Sequence, residues 1–155
     1  MNIDLQELSR FLDEAHRNTY ANKDAPKAAS TRDKSEDYHF AQGDLVYHDT
    51  YFGDGDFIGE EIVYKIGAPI WGMNYYGYLK SQNVPEKDVY DFLRESLMRY
   101  HADAVPVRGP SRHHVGAWEY ANVTDGNLDR FSGTETISLS GTMVYKCWYH
   151  GGLIH

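Results

Sequence analysis

Apolar residues recur at helical spacing in two segments of the chain and alternate with polar residues through most of the remainder. Leu5, Leu8, Leu12 and Ala15 follow three- and four-residue steps, which predicts an amphipathic helix within residues 1–18. A second helical pattern begins near Pro85, a residue suited to a helix start. We therefore expect two helices, each with one apolar face directed at a core.

Three alternating segments lie between Gly43 and Leu79 and are separated by turn sequences at Gly53–Asp56 and Gly67–Pro69. Alternation with short, glycine-containing turns is typical of antiparallel strands joined as hairpins. Near the end of the chain, Glu135–Leu139 and Met143–His150 alternate around Ser140-Gly141 and predict a last hairpin.

Residues 21–37 are polar and predict an exposed loop, with a lid over a binding site as the alternative. Residues 38–155 would then form a sheet-rich core, and no internal repeat is apparent. The predicted fold is a single α+β domain, with a curved antiparallel sheet and about two helices packed on one side.

Composition narrows the classes of function. The 155 residues carry a net charge of −8 and show no basic stripe, which argues against binding to nucleic acid or to anionic membranes. Apolar runs stay well below the roughly 20 residues of a membrane span. The single cysteine, Cys147, excludes an internal disulfide and a cysteine-based zinc cluster. Together with an acidic start unlike a signal peptide, these features predict a cytoplasmic protein. Asp49, a glutamate and His150 could ligate a divalent metal, but the sequence has no HxH, HExxH or CxxC spacing, so no metal and no cofactor are predicted.

Two glutamates fall on strand positions that alternate with apolar residues. Glu60 shares a face with Ile58 and Ile62 on strict alternation, and Glu135 shares a face with Ile137. Buried carboxylates must be protonated, paired or hydrogen-bonded, and a pair of them is a common device of acid/base catalysis. The pattern therefore predicts Glu60, Glu135 and a nearby His150 as candidate catalytic residues. The alternatives are a bulge that turns Glu60 outward, or Tyr hydroxyls and an Arg that satisfy both acids.

The predicted sheet is also rich in aromatic residues beside polar ones. An aromatic side chain with a polar tip suits a small pocket for an organic ligand, and nearby acids suit a cationic one. The alternative is that these rings only fill the core. The candidate ligand-binding residues are Tyr47, Asp49, Tyr51, Trp71, Asn74, Tyr75 and Tyr149.

Several stretches resemble the bacterial family called domain of unknown function 5680. They are Thr19-Tyr20-Ala21, the block GDLVYHDTYFGDGDFIGEEIVYKIGAPIWGMNYYG, Arg108-Gly109-Pro110 and the ending FSGTETISLSGTMVYKCWYHGGLI. Members of that family look like either stand-alone proteins or C-terminal partners of helix-turn-helix regulator domains, and this chain resembles the stand-alone kind. The resemblance implies no activity, but such fusions suggest a ligand-sensing role.

Three functions are therefore open on the sequence. The first is binding or sensing of a small organic or cationic ligand on the aromatic, acidic sheet. The second is acid/base catalysis by Glu60, Glu135 and His150. The third is a protein-interaction module that uses the acidic block between Ser35 and Tyr64, which contains no Lys or Arg. Exposed edge strands leave a homodimer open as well.

Overall fold

A computed structural model describes residues 3–80, 83–99, 105 and 107–155. Within them lie two helices and eight strands, which confirm the predicted α+β fold. The helices are α1 (Leu5–Arg17) and α2 (Glu86–Leu97). The strands are β1 (Glu36–Gln42), β2 (Leu45–Phe52), β3 (Phe57–Lys65), β4 (Ala68–Leu79), β5 (Arg112–Val115), β6 (Trp118–Asn127), β7 (Arg130–Leu139) and β8 (Thr142–Leu153).

Both helices begin where the sequence offers a start signal. The Asp4 side chain accepts a hydrogen bond from the amide of Gln6 and caps α1, which buries Leu8 and Leu12 completely. Pro85 lies just before the first residue of α2. The predicted first helix extends to Met1 and Asn2, which lie outside the described residues. No helix in the described part of the chain combines the length and apolarity that crossing a membrane requires.

The strands form one open antiparallel sheet in the order β1-β2-β3-β4-β8-β7-β6-β5. Each neighbouring pair other than β4 and β8 joins strands that follow one another in the chain. No strand was predicted at β1. Its first two residues, Glu36 and Asp37, end the segment expected to be an exposed loop, yet Asp37 is fully buried. The large buried side chains project from one face of the sheet, where both helices pack.

The chain contains an internal repeat, and the expectation of none was wrong. Each half consists of one helix followed by a four-stranded meander, and the halves meet where β4 pairs with β8. In that pair Tyr75 lies opposite Tyr149, Trp71 opposite Leu153, and Leu79 opposite Tyr145. If Tyr75 is equivalent to Tyr149, then Trp71 is equivalent to Tyr145 and Leu79 to Leu153, and swapping the two halves leaves this set of pairs unchanged. Such a pairing has a pseudo-twofold axis between Tyr75 and Tyr149.

Two pairs of glycines show that the repeat extends to side-chain geometry. A Cβ on Gly59 would lie 2.4 Å from the Tyr75 hydroxyl, and a Cβ on Gly133 would lie 2.2 Å from the Tyr149 hydroxyl. In both halves a glycine on the third strand thus makes room for the tyrosine of the fourth. The halves align Tyr47 with Tyr120, Asp49 with Asn122, Glu61 with Glu135 and Val63 with Ile137.

Candidate functional site

A cavity of about 170 Å³ opens between the two helices and the first half of the sheet. Its floor comes from β2, β3 and β4, and its walls come from α1, α2, Val107 and Arg108. Cavities of about 150 Å³ can hold a benzene-sized molecule. The residues that line this one are His16, Thr19, Tyr20, Ala21, Lys27, Glu36, Tyr47, Asp49, Tyr51, Gly53, Asp54, Phe57, Glu61, Tyr75, Glu86, Tyr90, Arg94, Leu97, Val107 and Arg108.

Two carboxylates lie side by side on the floor of the cavity. Asp49 of β2 and Glu61 of β3 are direct cross-strand partners, and each is only 3% exposed. The Tyr75 hydroxyl donates to Asp49 Oδ1 at 2.5 Å. His16 Nε2, from α1, lies 2.9 Å from Glu61 Oε2. Each carboxylate therefore has one oxygen bonded to a neighbouring side chain.

The second oxygen of each carboxylate faces the cavity. Neither Asp49 Oδ2 nor Glu61 Oε1 has a hydrogen-bond partner among the described residues. Every fully buried side-chain polar atom of those residues does have a partner. Because both residues line the cavity, these two oxygens are accessible from it. They are the acceptors that a bound molecule would meet.

The electrostatics of Asp49 reflect its position beside a second acid. Burial raises the pKa of Asp49 well above its ordinary value of 3.8, and the charge of Glu61 raises it further. The hydrogen bond from Tyr75 and the charge of Arg108 oppose this shift in the pKa of Asp49. Two acids this close to each other do not ionise together without a cost, which a donor or cation from outside would offset.

The matching glutamate in the second half has all of its partners within the protein. Arg108 holds Glu135 with two hydrogen bonds, Nη2 to Oε1 at 2.8 Å and Nε to Oε2 at 3.1 Å. The hydroxyls of Tyr120 and Tyr145 donate to the same carboxylate at 2.6 and 2.8 Å. Glu135 is fully buried, so its ion pair with Arg108 has a structural role.

The predicted ligand-binding residues separate into two groups. Tyr47, Asp49, Tyr51 and Tyr75 all line the cavity. The other three do not line it. Trp71 is buried and its indole N–H donates to the Leu128 carbonyl, Tyr149 bonds to Thr124 and Asn122 in the core, and Asn74 is exposed on the opposite face of the sheet.

The predicted orientation of Glu60 was wrong. Ile58 is 56% exposed, so the apolar residues used to assign the buried face of β3 point outward. Glu60 follows the same alternation, lies on the outer face and pairs with Arg32. Glu135 points to the inner face, so the two glutamates do not form a pair. His150 is exposed on the outer face as well.

Sequence reasoning missed Glu61, His16 and Arg108. The pairing of Asp49 with Glu61 follows from the hairpin register, so that register would have identified Glu61, whereas its alignment with Glu135 emerges only from the paired strands. His16 and Arg108 come from outside the strands, where alternation carries no information. Among the described residues, no three His, Cys, Asp or Glu side chains come together as a metal site would require.

Comparison with known proteins agrees with the resemblance found in the sequence. The family model described as Domain of unknown function (DUF5680) matches residues 49–154, which include β3, β4 and the whole second half. No curated protein and no solved structure matches the chain. Since the matched residues make up more than half of the chain, the protein belongs to the family Domain of unknown function (DUF5680).

Proposed function

We propose that this protein binds a small organic molecule in the cavity between α1, α2 and the first half of the sheet. The observation that carries the proposal is the pair of buried carboxylates, Asp49 and Glu61, each with one oxygen open to the cavity. Buried polar groups normally find hydrogen-bond partners within the protein. A ligand that donates hydrogen bonds would complete these two.

The walls of the cavity suit the rest of such a molecule. Tyr20, Tyr51, Phe57 and Tyr90 present rings around the opening between the helices and the sheet. Small-molecule sites commonly combine aromatic walls with a few converging polar groups. The ligand would place its apolar body among these rings and its polar group on the floor.

Lys27 of the loop before β1 also lines the cavity, beside its ion-pair partner Glu36. The polar loop therefore contributes to the rim of the cavity.

A thermal-shift screen of the full chain tests the proposal. A ligand present at about 100 times its Kd stabilises the folded state by about 2.7 kcal/mol, which raises the melting temperature of a protein this size by roughly 5–10 °C. We expect such shifts from small molecules that carry hydrogen-bond donors, followed by measurable heats of binding in calorimetry.

Adjacent glutamates supply a matched pair of variants. Glu61→Gln alters the cavity floor, whereas Glu60→Gln makes the same chemical change on the outer face. We expect Glu61→Gln to weaken binding by tenfold or more and Glu60→Gln to leave it unchanged. A screen without hits, or hits that bind both variants equally well, would refute binding at this site.

A further inference from the structure

We infer, on the basis of the proposed function, that the ligand carries a guanidinium group or the closely related amidinium group. The second half of the chain shows what its matching carboxylate binds. There the guanidinium of Arg108 donates from Nε and Nη2 to the two oxygens of Glu135, and the Arg108 side chain is only 7% exposed. This bidentate geometry is the preferred partner of a carboxylate.

The first half has the carboxylate without the built-in cation. Glu61 matches Glu135. Phe40 pairs with Tyr47 in the first half and His113 pairs with Tyr120 in the second, so Phe40 and His113 occupy equivalent positions. Arg108 precedes His113 by the same number of residues as Ser35 precedes Phe40, so Ser35 is the equivalent of Arg108. Ser35 is short, and its hydroxyl bonds to Asp37. Arg108 of the second half therefore has no equivalent arginine in the first half, where a cavity lies next to Glu61.

The charges around the cavity leave a negative excess on its floor. The Lys and Arg side chains that line it are already engaged: Lys27 with Glu36, Arg94 with the Tyr20 carbonyl, and Arg108 with Glu135. The carboxylates that line it are Glu36, Asp49, Asp54, Glu61 and Glu86. Among the described residues, His16 contacts Glu61 and the Tyr75 hydroxyl donates to Asp49, while the guanidinium of Arg108 is held by Glu135. An incoming cation would be attracted to this floor, and an anion would be repelled.

The open oxygens favour a forked donor over a point charge. Asp49 and Glu61 lie directly across from each other, so their Cβ atoms are about 5 Å apart. Two N–H groups of one guanidinium can reach one oxygen on each side, whereas an ammonium is a compact charge without this planar fork. The Tyr75 ring, which already lies 5.7 Å from the Arg108 guanidinium carbon, offers an aromatic face beside the same floor.

The experiment compares benzylguanidinium with its neutral analogue benzylurea and with benzylammonium, each titrated into the full chain by calorimetry. We expect benzylguanidinium to bind at least tenfold more tightly than either analogue. Glu61→Gln should reduce this affinity tenfold or more, Asp49→Asn should reduce it by a smaller factor, and Glu60→Gln should leave it unchanged. Circular dichroism and melting curves establish that each variant is folded.

The outcomes distinguish this inference from the proposal on which it rests. If benzylurea binds as tightly as benzylguanidinium and Glu61→Gln weakens both, the cavity binds small molecules but the guanidinium preference is wrong. Tightest binding of benzylammonium would likewise overturn it, in favour of a point charge. If none of the three probes binds and the broader screen also finds no ligand, both the preference and the binding site fall.

Discussion

Asp49→Asn is expected to make the protein more stable while it weakens the candidate site. The asparagine keeps an oxygen that can accept the hydrogen bond from Tyr75. The second half already contains this arrangement, because Asn122 Oδ1 accepts from the Tyr149 hydroxyl at 2.6 Å. The variant therefore copies into the first half a solution that the same fold uses in the second.

A minimum size for the effect follows from one cost and the repulsion term alone, because relieving the burial of the charge only adds to the gain. Replacing a charge-assisted hydrogen bond by a neutral one costs about 1 kcal/mol. Removing one of two like charges about 5 Å apart, at an effective dielectric constant of about 20, gains about 3 kcal/mol. The net gain of about 2 kcal/mol corresponds to a rise in melting temperature of roughly 4–8 °C.

The gain must depend on pH in a defined direction. Burial first, and the charge of Glu61 second, raise the pKa of Asp49 above its value of 3.8 in an unfolded chain. Ionised Asp49 therefore opposes folding above its folded-state pKa, and this penalty disappears as the pH falls from that value to 3.8. The advantage of Asp49→Asn should be largest at alkaline pH and shrink steadily as the solution is acidified.

Urea unfolding followed by tryptophan fluorescence measures this at a series of pH values, because Trp71 is fully buried in the native state. Glu60→Gln serves as the control, since loss of this partly exposed carboxylate and its ion pair with Arg32 should change the free energy of unfolding by less than about 1 kcal/mol. Lower stability of Asp49→Asn at pH 8, or a gain that does not vary with pH, would refute the reasoning.

Three further predictions concern other parts of the fold. Arg108→Met should lower the free energy of unfolding by about 3–5 kcal/mol, because it leaves Glu135 buried without its cation, and adding Glu135→Leu should recover part of the loss. A double-mutant cycle measures this coupling, and additive effects of the two substitutions would contradict the ion pair. Gly59→Ala should lower the free energy of unfolding by about 1–3 kcal/mol and shift the NMR signals of Tyr75, because the new methyl group would contact the Tyr75 hydroxyl. Unchanged Tyr75 signals would argue against this packing. Burial raises the pKa of Asp37, but hydrogen bonds from neighbouring hydroxyls outweigh it and lower that pKa below its ordinary value. Asp37→Asn should therefore lower the stability at neutral pH and make the stability less sensitive to acid below pH 3.8, and equally steep acid unfolding of both proteins would contradict this.

Much of the fold could be predicted from local patterns. The apolar spacing of Leu8 and Leu12 located α1, and the turn at Ser140-Gly141 located the last hairpin. These features depend on residues close together in the chain. The alignment of Glu61 with Glu135 was not visible at this level, because the repeat shares few identical residues and becomes evident only once the strands are paired.

The site itself was harder to predict, for a physical reason. Alternation gives two faces for a strand but does not say which is buried. On β3 the outer face carries Ile58 and Ile62, whereas the inner face carries Gly59 and Glu61, so hydrophobicity indicated the wrong side. The inner positions are polar or small because one accommodates the Tyr75 hydroxyl and the other lines a cavity.

The way the two meanders meet also has a consequence for the order of folding. Within each half, every strand pairs with its neighbour in sequence, so each meander can form by closing short loops, whereas β4 and β8 must find each other across a long stretch of chain. The cavity takes its floor from the first meander and part of its wall from α2, which belongs to the second half. We therefore expect binding competence to appear only in the slowest step of refolding, when the halves dock, so that a ligand added during refolding would report on that step alone.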